Sequence, residues 1–503
     1  MDHCRQGQLD PFPKKSAAQR HRAKKNSTLL QELEQLMGAS ANAFSCAQSF
    51  QRARRHCLAH LVSFGRHTVS ALLRAQNRHQ QDWSADYRFY SQDRFDEQAV
   101  FDQIRLAVER TLEPNQPLVV AMDDSLLRTT GRQIHGVRFA RDPMSPPFHV
   151  NFVRGLRVLQ ISAALPQGQG RARMVPIDFH HAVLPPKPPK RASATEWEIY
   201  KELRAQKNIN RVGFQRLAAL RQQMDQHGSA QRGLVVGVDG RFTNRTFLTQ
   251  VPQHTVIIGR IRKDAVLHEL PQVQPALGRK RKYGPLLATP EALLRDDQVP
   301  FQTVRAFAAG KVHDFQIKRL GPVVMRLDRA ERPVQILVIK ALGYRLKNGG
   351  KLLYRAPAFL VCTDPQMALE DFLQDFLWRW DIEVNFRDEK TLLGVGQAQV
   401  RTEASNQNAP ALAVAAYALL LMASVRAYGK SGVPDRLREA KWYRRKEQQR
   451  ATTAELINQL RRELWSEALN PSHFSDFTTR GDPDQKSEKC EVPLASAAFL
   501  SSN

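Results

Sequence analysis

Residues 372–394 read FLQDFLWRWDIEVNFRDEKTLLG, and this stretch decides how the rest of the chain is interpreted. Apolar side chains recur at helical spacing and no Gly or Pro interrupts the pattern before Gly394, which predicts one amphipathic helix. The side chains expected on its buried side are Phe372, Phe376, Leu377, Trp380 and Val384.

Four charged residues of the same stretch lie three or four positions apart and therefore share one stripe along the predicted helix: Arg379, Glu383, Arg387 and Lys390. One interpretation is a ladder of surface ion pairs, which is the usual outcome of such patterns. The other is an acid that holds a divalent metal ion, with basic neighbours that contact a phosphate backbone.

The composition favours a long polyanion as the partner. The 503 residues include 75 Lys+Arg and 49 Asp+Glu, a formal net charge of +26 that is spread along the chain. Five cysteines without a CxxC pair indicate reduced thiols and a cytoplasmic protein. The N-terminus lacks the apolar region of a signal peptide. The apolar run 409–424 is shorter than the roughly 20 residues of a membrane span, so we expect a buried core helix and no membrane partner.

Two of four runs of β-type residues end on acids. The run 117–124, PLVVAMDD, is followed by strand-like runs at 156–165 and 172–179, by helical patterns, and by 233–239, GLVVGVD. This order of strands and helices, with acids closing the first and fourth strands, predicts an α/β chain with an RNase H-like core.

The composition and periodicity of the sequence divide the chain into seven parts. We predict a flexible basic arm (1–27), a helical DNA-binding domain (28–112), the first part of the RNase H-like core (113–250), a β-rich insertion (251–370), the second part of the core (371–430), a C-terminal helical region (431–468) and a disordered tail (469–503). For residues 28–112, a helical bundle with a solvated basic face is an equally good interpretation.

Three acids stand out as candidate catalytic residues and metal ligands: Asp124 and Asp239 after strands, and Glu383 on the helix. Brought together by the fold, they could hold two Mg²⁺ ions about 4 Å apart, with Mn²⁺ as a substitute. The sequence has no Cys/His cluster of the kind that binds zinc.

The pattern Phe376-x2-Arg379-x3-Glu383-x6-Lys390 resembles the Tyr-x2-Arg-x3-Glu-x6-Lys signature of bacterial insertion-sequence transposases of the DDE class. The chain differs from that signature in having Phe376 at the tyrosine position. The resemblance implies that Glu383 is the third catalytic acid and that Arg379 and Lys390 contact phosphates of transposon-end DNA. Arg387, on the same stripe, is a further candidate for DNA contact.

The resemblance also bears on two rival acids. The family's first acid precedes Ser or Thr, which favours Asp124, next to Ser125, over Asp123, for which a turn or cap is the alternative role. Glu389 could replace Glu383 as the third acid, but it lies roughly 600° further around the helix, on another face.

The expected function is therefore Mg²⁺-dependent cleavage at transposon ends followed by joining of the 3′-OH to target DNA. The implied partners are double-stranded DNA, with terminal inverted repeats and a target, and a second copy of the chain in a synaptic homodimer in the bacterial cytoplasm, at the nucleoid. The alternatives are an RNase H-like nuclease or resolvase without strand transfer, and an inactive transposase-derived DNA-binding protein.

Overall fold

The structure, a computed structural model, describes residues 27–131, 133–142, 145–146, 148–272, 281–326, 332–345, 350–434 and 450–465. The predicted arm, apart from residue 27, and the predicted tail lie outside the described residues. How the chain divides into domains remains a prediction.

The N-terminal part is helical, as predicted for residues 28–112. Thr28 begins the first helix with a capping box, because its hydroxyl accepts a hydrogen bond from the Gln31 N–H while the Gln31 side chain accepts one from the Thr28 N–H. The helices are α1 (Leu29–Ala39), α2 (Ala47–Val62), α3 (Val69–Ala75), α4 (Ser84–Ser91) and α5 (Glu97–Glu109), with a short 3₁₀ turn at Ala41–Ala43.

The next segment builds a mixed sheet with helices against it. Its elements are β1 (Leu118–Arg128), β2 (Arg138–Arg141), β3 (Phe152–Gly168), β4 (Arg171–His181), α6 (Ala194–Gln206), α7 (Ile209–Gln226), β5 (Leu234–Val238), α8 (Arg245–Thr249) and β6 (Thr255–Arg260). The strand order is β4-β3-β1-β5-β6, with β1, β5 and β6 parallel and β3 antiparallel to both β1 and β4. This mixed α/β arrangement confirms the predicted fold class.

The strands predicted as an insertion continue this same sheet. They are β7 (Leu267–His268), β8 (Gln302–Ala308), β9 (Lys311–Met325), β10 (Val334–Ile339) and β13 (Ala358–Cys362), with α9 (Pro290–Arg295) between β7 and β8 and a separate two-stranded sheet of β11 (Leu342–Arg345) and β12 (Leu352–Arg355). Because β13 pairs with β6, the sheet continues past β6 in the order β13-β10-β9-β7. The predicted strand at 254–262 corresponds to β6. It pairs with β5 on one edge and with β13 on the other, and so joins the first five strands of the sheet to those that follow.

The stretch at 372–394 forms two helices rather than the one predicted. They are α10 (Leu369–Trp378) and α11 (Asp381–Thr391). Between them, the N–H groups of Arg379 and Trp380 donate to carbonyls three residues back, so the backbone makes a tighter turn than an α-helix. At this turn Trp380 is 58% exposed. The prediction that Trp380 lies on the buried side of the helix is therefore wrong.

The C-terminal helices are α12 (Glu403–Tyr428) and α13 (Thr453–Trp465). Within the described residues, α12 is long and apolar enough to cross a membrane, but 94% of its most apolar window is buried inside the protein. It packs against α1, α2, α5 and β4, which confirms the predicted buried core helix.

Candidate active site

The two neighbouring aspartates of β1 point to opposite faces of the sheet. Ala121 belongs to the apolar cluster that contains side chains of α10 and α11, whereas Met122 belongs to the cluster that contains side chains of α7. Since side chains alternate along a strand, Asp123 projects toward α10 and α11 and Asp124 projects toward the α7 side.

Asp123 lies beside a buried arginine. Arg379 Nη1 is 3.5 Å from Asp123 Oδ2, and the Arg379 side chain is only 8% exposed. The Asp124 N–H donates to Asp123 Oδ1 at 2.8 Å. Burial raises the pKa of the Asp123 carboxyl to about 6; Arg379 opposes this rise, and the nearby charges of Asp124 and Asp239 add to it.

Asp239 is brought next to Asp123 by the parallel pairing of β1 and β5. Met122 pairs with Val238, the last residue of β5, so Asp239 follows β5 directly beside Asp123, which continues β1 against β3. The Gly240 N–H donates to Asp239 Oδ1 at 2.6 Å. The carboxyl end of β5 thus presents Asp239 beside an acid of the adjacent parallel strand β1.

A glycine lets the junction of α10 and α11 lie directly on β5. A Cβ at Gly237 would be 3.3 Å from Arg379 Cβ and 3.7 Å from the Asp375 carbonyl oxygen. This close approach places Arg379 over the strand and Glu383 one helical turn further on, on the exposed side of α11. Partial burial raises the pKa of Glu383, Arg379 opposes that rise, and Asp239 contributes to it. The charges of Asp123, Asp239 and Glu383 therefore interact within one region around Arg379.

Asp124, the first acid predicted from the sequence, is held by two arginines on the opposite face. Arg157 Nη2 is 2.8 Å from Asp124 Oδ2, and Arg241 Nη1 is 3.1 Å from Asp124 Oδ1. Burial raises the pKa of Asp124 and Arg241 opposes the rise. The geometry therefore favours Asp123 over Asp124, because the neighbouring Ser125 used for the assignment says nothing about which face of the strand an acid occupies.

The two other predicted DNA-contact residues of α11 have different surroundings. Lys390 Nζ donates to Ser125 Oγ at 2.6 Å, on the same face of β1 as Asp123. Burial lowers the pKa of Lys390, while Glu389 raises it and Arg128 lowers it. Arg387 is exposed and pairs with Asp388 at 2.8 Å. Lys390 thus lies on the side of β1 that carries Asp123, and Arg387 lies on the outer side of the helix.

Glu389, the rival to Glu383, is internal. It is 1% exposed and accepts a 3.0 Å hydrogen bond from Gln160 Nε2, and Gln160 is paired with Asp123 across β1 and β3. Burial raises the pKa of Glu389 to about 8, opposed by the hydrogen bond from Gln160. A carboxyl that is protonated at neutral pH and enclosed by protein is suited to packing rather than to binding a cation.

Polar contacts fix α11 on the sheet and so orient Glu383. The Asp381 carboxylate accepts hydrogen bonds from the Met174 N–H at 2.9 Å and from Arg450 at 3.0 and 3.1 Å. Asn385 Nδ2 donates to the Met174 carbonyl at 3.0 Å and to the Tyr417 hydroxyl at 3.2 Å. These side chains face inward, which leaves Glu383 on the outward side.

The acids fit a hard divalent ion in their chemistry. Carboxylate oxygens are the ligands that Mg²⁺ and Mn²⁺ prefer. The pKa values of Asp123 and Glu383 are raised first by burial and to a smaller extent by the charge of Asp239, and a bound cation would oppose both effects. Over the part of the chain that the structure describes, no three His, Cys, Asp or Glu side chains are close enough to form a ready-made metal site. The acids therefore converge on one region but would have to close around an ion.

A cleft of about 700 Å³ opens beside Asp239. The charged residues on its wall, apart from Asp239 itself, are Arg260, Arg262, Asp264 and Arg326. Arg157 and Arg241, which pair with Asp124, were not singled out in the sequence, although Arg241 directly follows the Asp239-Gly240 pair. The cleft beside Asp239 thus adds three arginines to the cations that the helix pattern indicated.

Comparison with known protein families identifies the class of the chain. A family model described as DDE superfamily endonuclease matches residues 41–311, which include Asp123, Asp124 and Asp239 and end before Glu383. No curated protein matches the chain.

The match spans more than half of the chain, so the protein belongs to the DDE superfamily endonucleases, nucleases of the type found in transposases. Family members act on DNA and generally use divalent metal ions. The predicted DDE class and the predicted endonuclease activity are thereby confirmed.

Proposed function

We propose that the protein is a transposase that binds the terminal inverted repeats of a mobile element, cleaves there and joins the resulting 3′-OH to target DNA. The observation that carries the proposal is the convergence of Asp123, Asp239 and Glu383, from β1, β5 and α11, around Arg379. We propose these three acids as the metal ligands; Asp124 is the alternative first acid that the adjacent Ser125 predicts.

Bound Mg²⁺, or Mn²⁺ in its place, would activate the attacking oxygen and stabilise the leaving oxygen at the scissile phosphate. The chain's own part is to hold and orient. Arg379, which is buried against Gly237, keeps positive charge beside Asp123 and Glu383 and limits their mutual repulsion. Lys390 is placed by Ser125 where it can contact a phosphate near the acids.

The test of the proposal is a strand-transfer assay with the purified chain, linear DNA that carries the element's ends, and supercoiled target plasmid. We expect Mg²⁺-dependent cleavage at the ends and covalent joining to the target. Cleavage without any joined product would instead identify a nuclease or resolvase. Pairing of two ends also implies a dimer during synapsis, which appears as a complex containing two end fragments of different length.

Lys390→Ala is expected to weaken binding of end DNA and to reduce the slope of log K against log salt by about one unit, because one phosphate contact is lost. The measurement is fluorescence anisotropy over a range of salt concentrations. Arg305→Ala is the matched control, since Arg305 is an exposed cation on β8 paired with Asp314. Equal slopes for wild type and Lys390→Ala would contradict the proposed contact.

A further inference from the structure

The β2–β3 hairpin exposes an alternating set of phenylalanines and arginines. Phe139 pairs with Arg154 and Arg141 pairs with Phe152, so each ring lies opposite a guanidinium across the two strands. The Arg154 guanidinium carbon is 5.7 Å from the centre of the Phe139 ring. We refer to Phe139, Arg141, Phe152 and Arg154 as the Phe–Arg face.

The rings of this face are open to solvent. Phe139 is 69% exposed and Phe152 is 65% exposed, and Phe148, in the connection between the strands, is 90% exposed. Single exposed apolar residues are common, but three exposed phenylalanines on one hairpin form a patch of the kind that marks a binding surface.

The charge around these rings is strongly positive. The sequence from 128 to 157 has six arginines and one acid, Asp142, which pairs with Arg128 at 2.8 Å. A cleft of about 1200 Å³ adjoins the hairpin; of its described lining residues, four are arginines (Arg66, Arg128, Arg154 and Arg401) and none is acidic. Arg154 belongs to both the cleft and the Phe–Arg face.

The Phe–Arg face and the candidate active site are on the same side of the sheet. Asp123 pairs with Gln160, and Arg154 lies an even number of residues before Gln160 on β3, so all three side chains project from one face. Six residues at about 3.4 Å each place Arg154 about 20 Å from the acids. That distance equals about six nucleotides at the duplex spacing of about 3.4 Å, and fewer for an extended strand.

The hairpin is also held firmly against β1. A Cβ at Gly155 would be 2.6 Å from the Leu127 carbonyl oxygen and 2.8 Å from Leu126 Cγ, so only glycine permits this spacing. Gly155 pairs with Arg138 of β2 and with Arg128 of β1. The position of the Phe–Arg face relative to the acids is therefore fixed by the sheet.

We propose that the Phe–Arg face and the adjoining arginine cleft bind an unpaired DNA strand next to the active site, with bases stacked on Phe139 and Phe152 and phosphates held by the arginines. The inference rests on the proposed function in taking DNA as the substrate. Duplex DNA keeps its base faces inside the helix, so exposed rings gain contact only where bases are unstacked. Arginines beside the rings supply both phosphate contacts and stacking surfaces.

The test compares two DNA probes by fluorescence anisotropy in EDTA, where no DNA is cut: a blunt duplex and the same duplex with a short single-stranded 3′ extension. We expect the wild-type chain to prefer the extended probe. Phe139→Ser with Phe152→Ser should lower affinity for the extended probe by about 25-fold, or about fivefold per lost ring, and leave affinity for the blunt duplex within about twofold. Phe139→Tyr with Phe152→Tyr should keep the preference.

Tyr354→Ser is the matched control, because Tyr354 is a similarly exposed aromatic residue, 66% exposed, on β12. Thermal unfolding of the Ser pair should match that of the wild type. An equal loss on both probes, or no loss on either, would overturn the proposal. So would a change in sedimentation behaviour of the Ser pair without DNA, which would identify the face as a contact between copies of the chain.

Failure of this inference is distinguishable from failure of the transposase proposal. A chain that prefers the extended probe through these rings but never joins DNA to a target would leave the binding inference intact. A chain that joins DNA normally while the Ser pair retains full preference for the extension would overturn the binding inference alone.

Discussion

Asp123→Asn is expected to lower the rate of Mg²⁺-dependent DNA cleavage by on the order of a thousandfold or more, because it removes a carboxylate from a site whose metal supplies several kcal/mol of charge stabilisation. Asp124→Asn is expected to retain most of the cleavage, since Asp124 points to the other face and is paired with Arg157 and Arg241. The measurement is single-turnover cleavage of end DNA.

The two variants control for each other, because each replaces one carboxyl of the same strand with an isosteric amide. DNA binding by both should remain close to that of the wild type in the absence of metal. The reverse outcome, with Asp124→Asn inactive and Asp123→Asn active, would restore the assignment predicted from the position of Ser125.

Glu383→Gln and Glu389→Gln are expected to have opposite effects, although they replace carboxyls six residues apart on α11. Glu383→Gln should abolish cleavage to the same degree as Asp123→Asn and leave thermal unfolding nearly unchanged, since Glu383 is exposed. Glu389→Gln should keep cleavage, because glutamine can still accept the hydrogen bond from Gln160.

Glu389→Gln should also stabilise the protein at alkaline pH. The pKa of Glu389 is raised from 4.5 to about 8 in the folded chain. Between these two pH values the folded chain holds a proton on Glu389 that the unfolded chain has released. The wild type is therefore expected to lose on the order of 5 kcal/mol of stability as the pH rises from the ordinary pKa of Glu389 to its pKa in the fold, and the glutamine variant to avoid this loss.

Chemical denaturation near pH 5 and near pH 8 measures the difference. Near the lower pH the two proteins should unfold alike, because Glu389 is protonated in the fold and close to its ordinary pKa in the unfolded chain. Near the higher pH the variant should be the more stable of the two. Loss of cleavage in Glu389→Gln, with the fold intact, would give Glu389 a role in the active site instead.

The sequence predicted the main elements of the core well, because buried strands and helices carry strong periodic signals. The strand runs that end at Asp124 and Asp239, and the buried helix that became α12, were confirmed with shifted ends. It did not predict the tight turn at Arg379 and Trp380, which has no Gly or Pro to mark it and lies where the helices pack onto Gly237.

The candidate site was predicted in part. The helix pattern implied that Arg379 and Glu383 share a stripe, and Asp239 lies in the same region. The choice between Asp123 and Asp124 depends on which face of β1 meets α11. That choice is set by long-range pairing of β1 with β3 and β5, which a single sequence does not reveal. The Phe–Arg face was missed for the same reason, since Phe139 and Arg154 become neighbours only through strand pairing.

The continuity of the sheet beyond β6 fixes the distance between Asp239 and the strands of the second half of the sheet. Four strand spacings of about 4.8 Å separate β5, which presents Asp239, from β9, so the two lie about 19 Å apart across a sheet that resists stretching. DNA that contacts the chain at β9 and reaches the acids would be cut about six base pairs from that contact. The distance from such a contact to the scissile bond would then be set by the spacing of the strands.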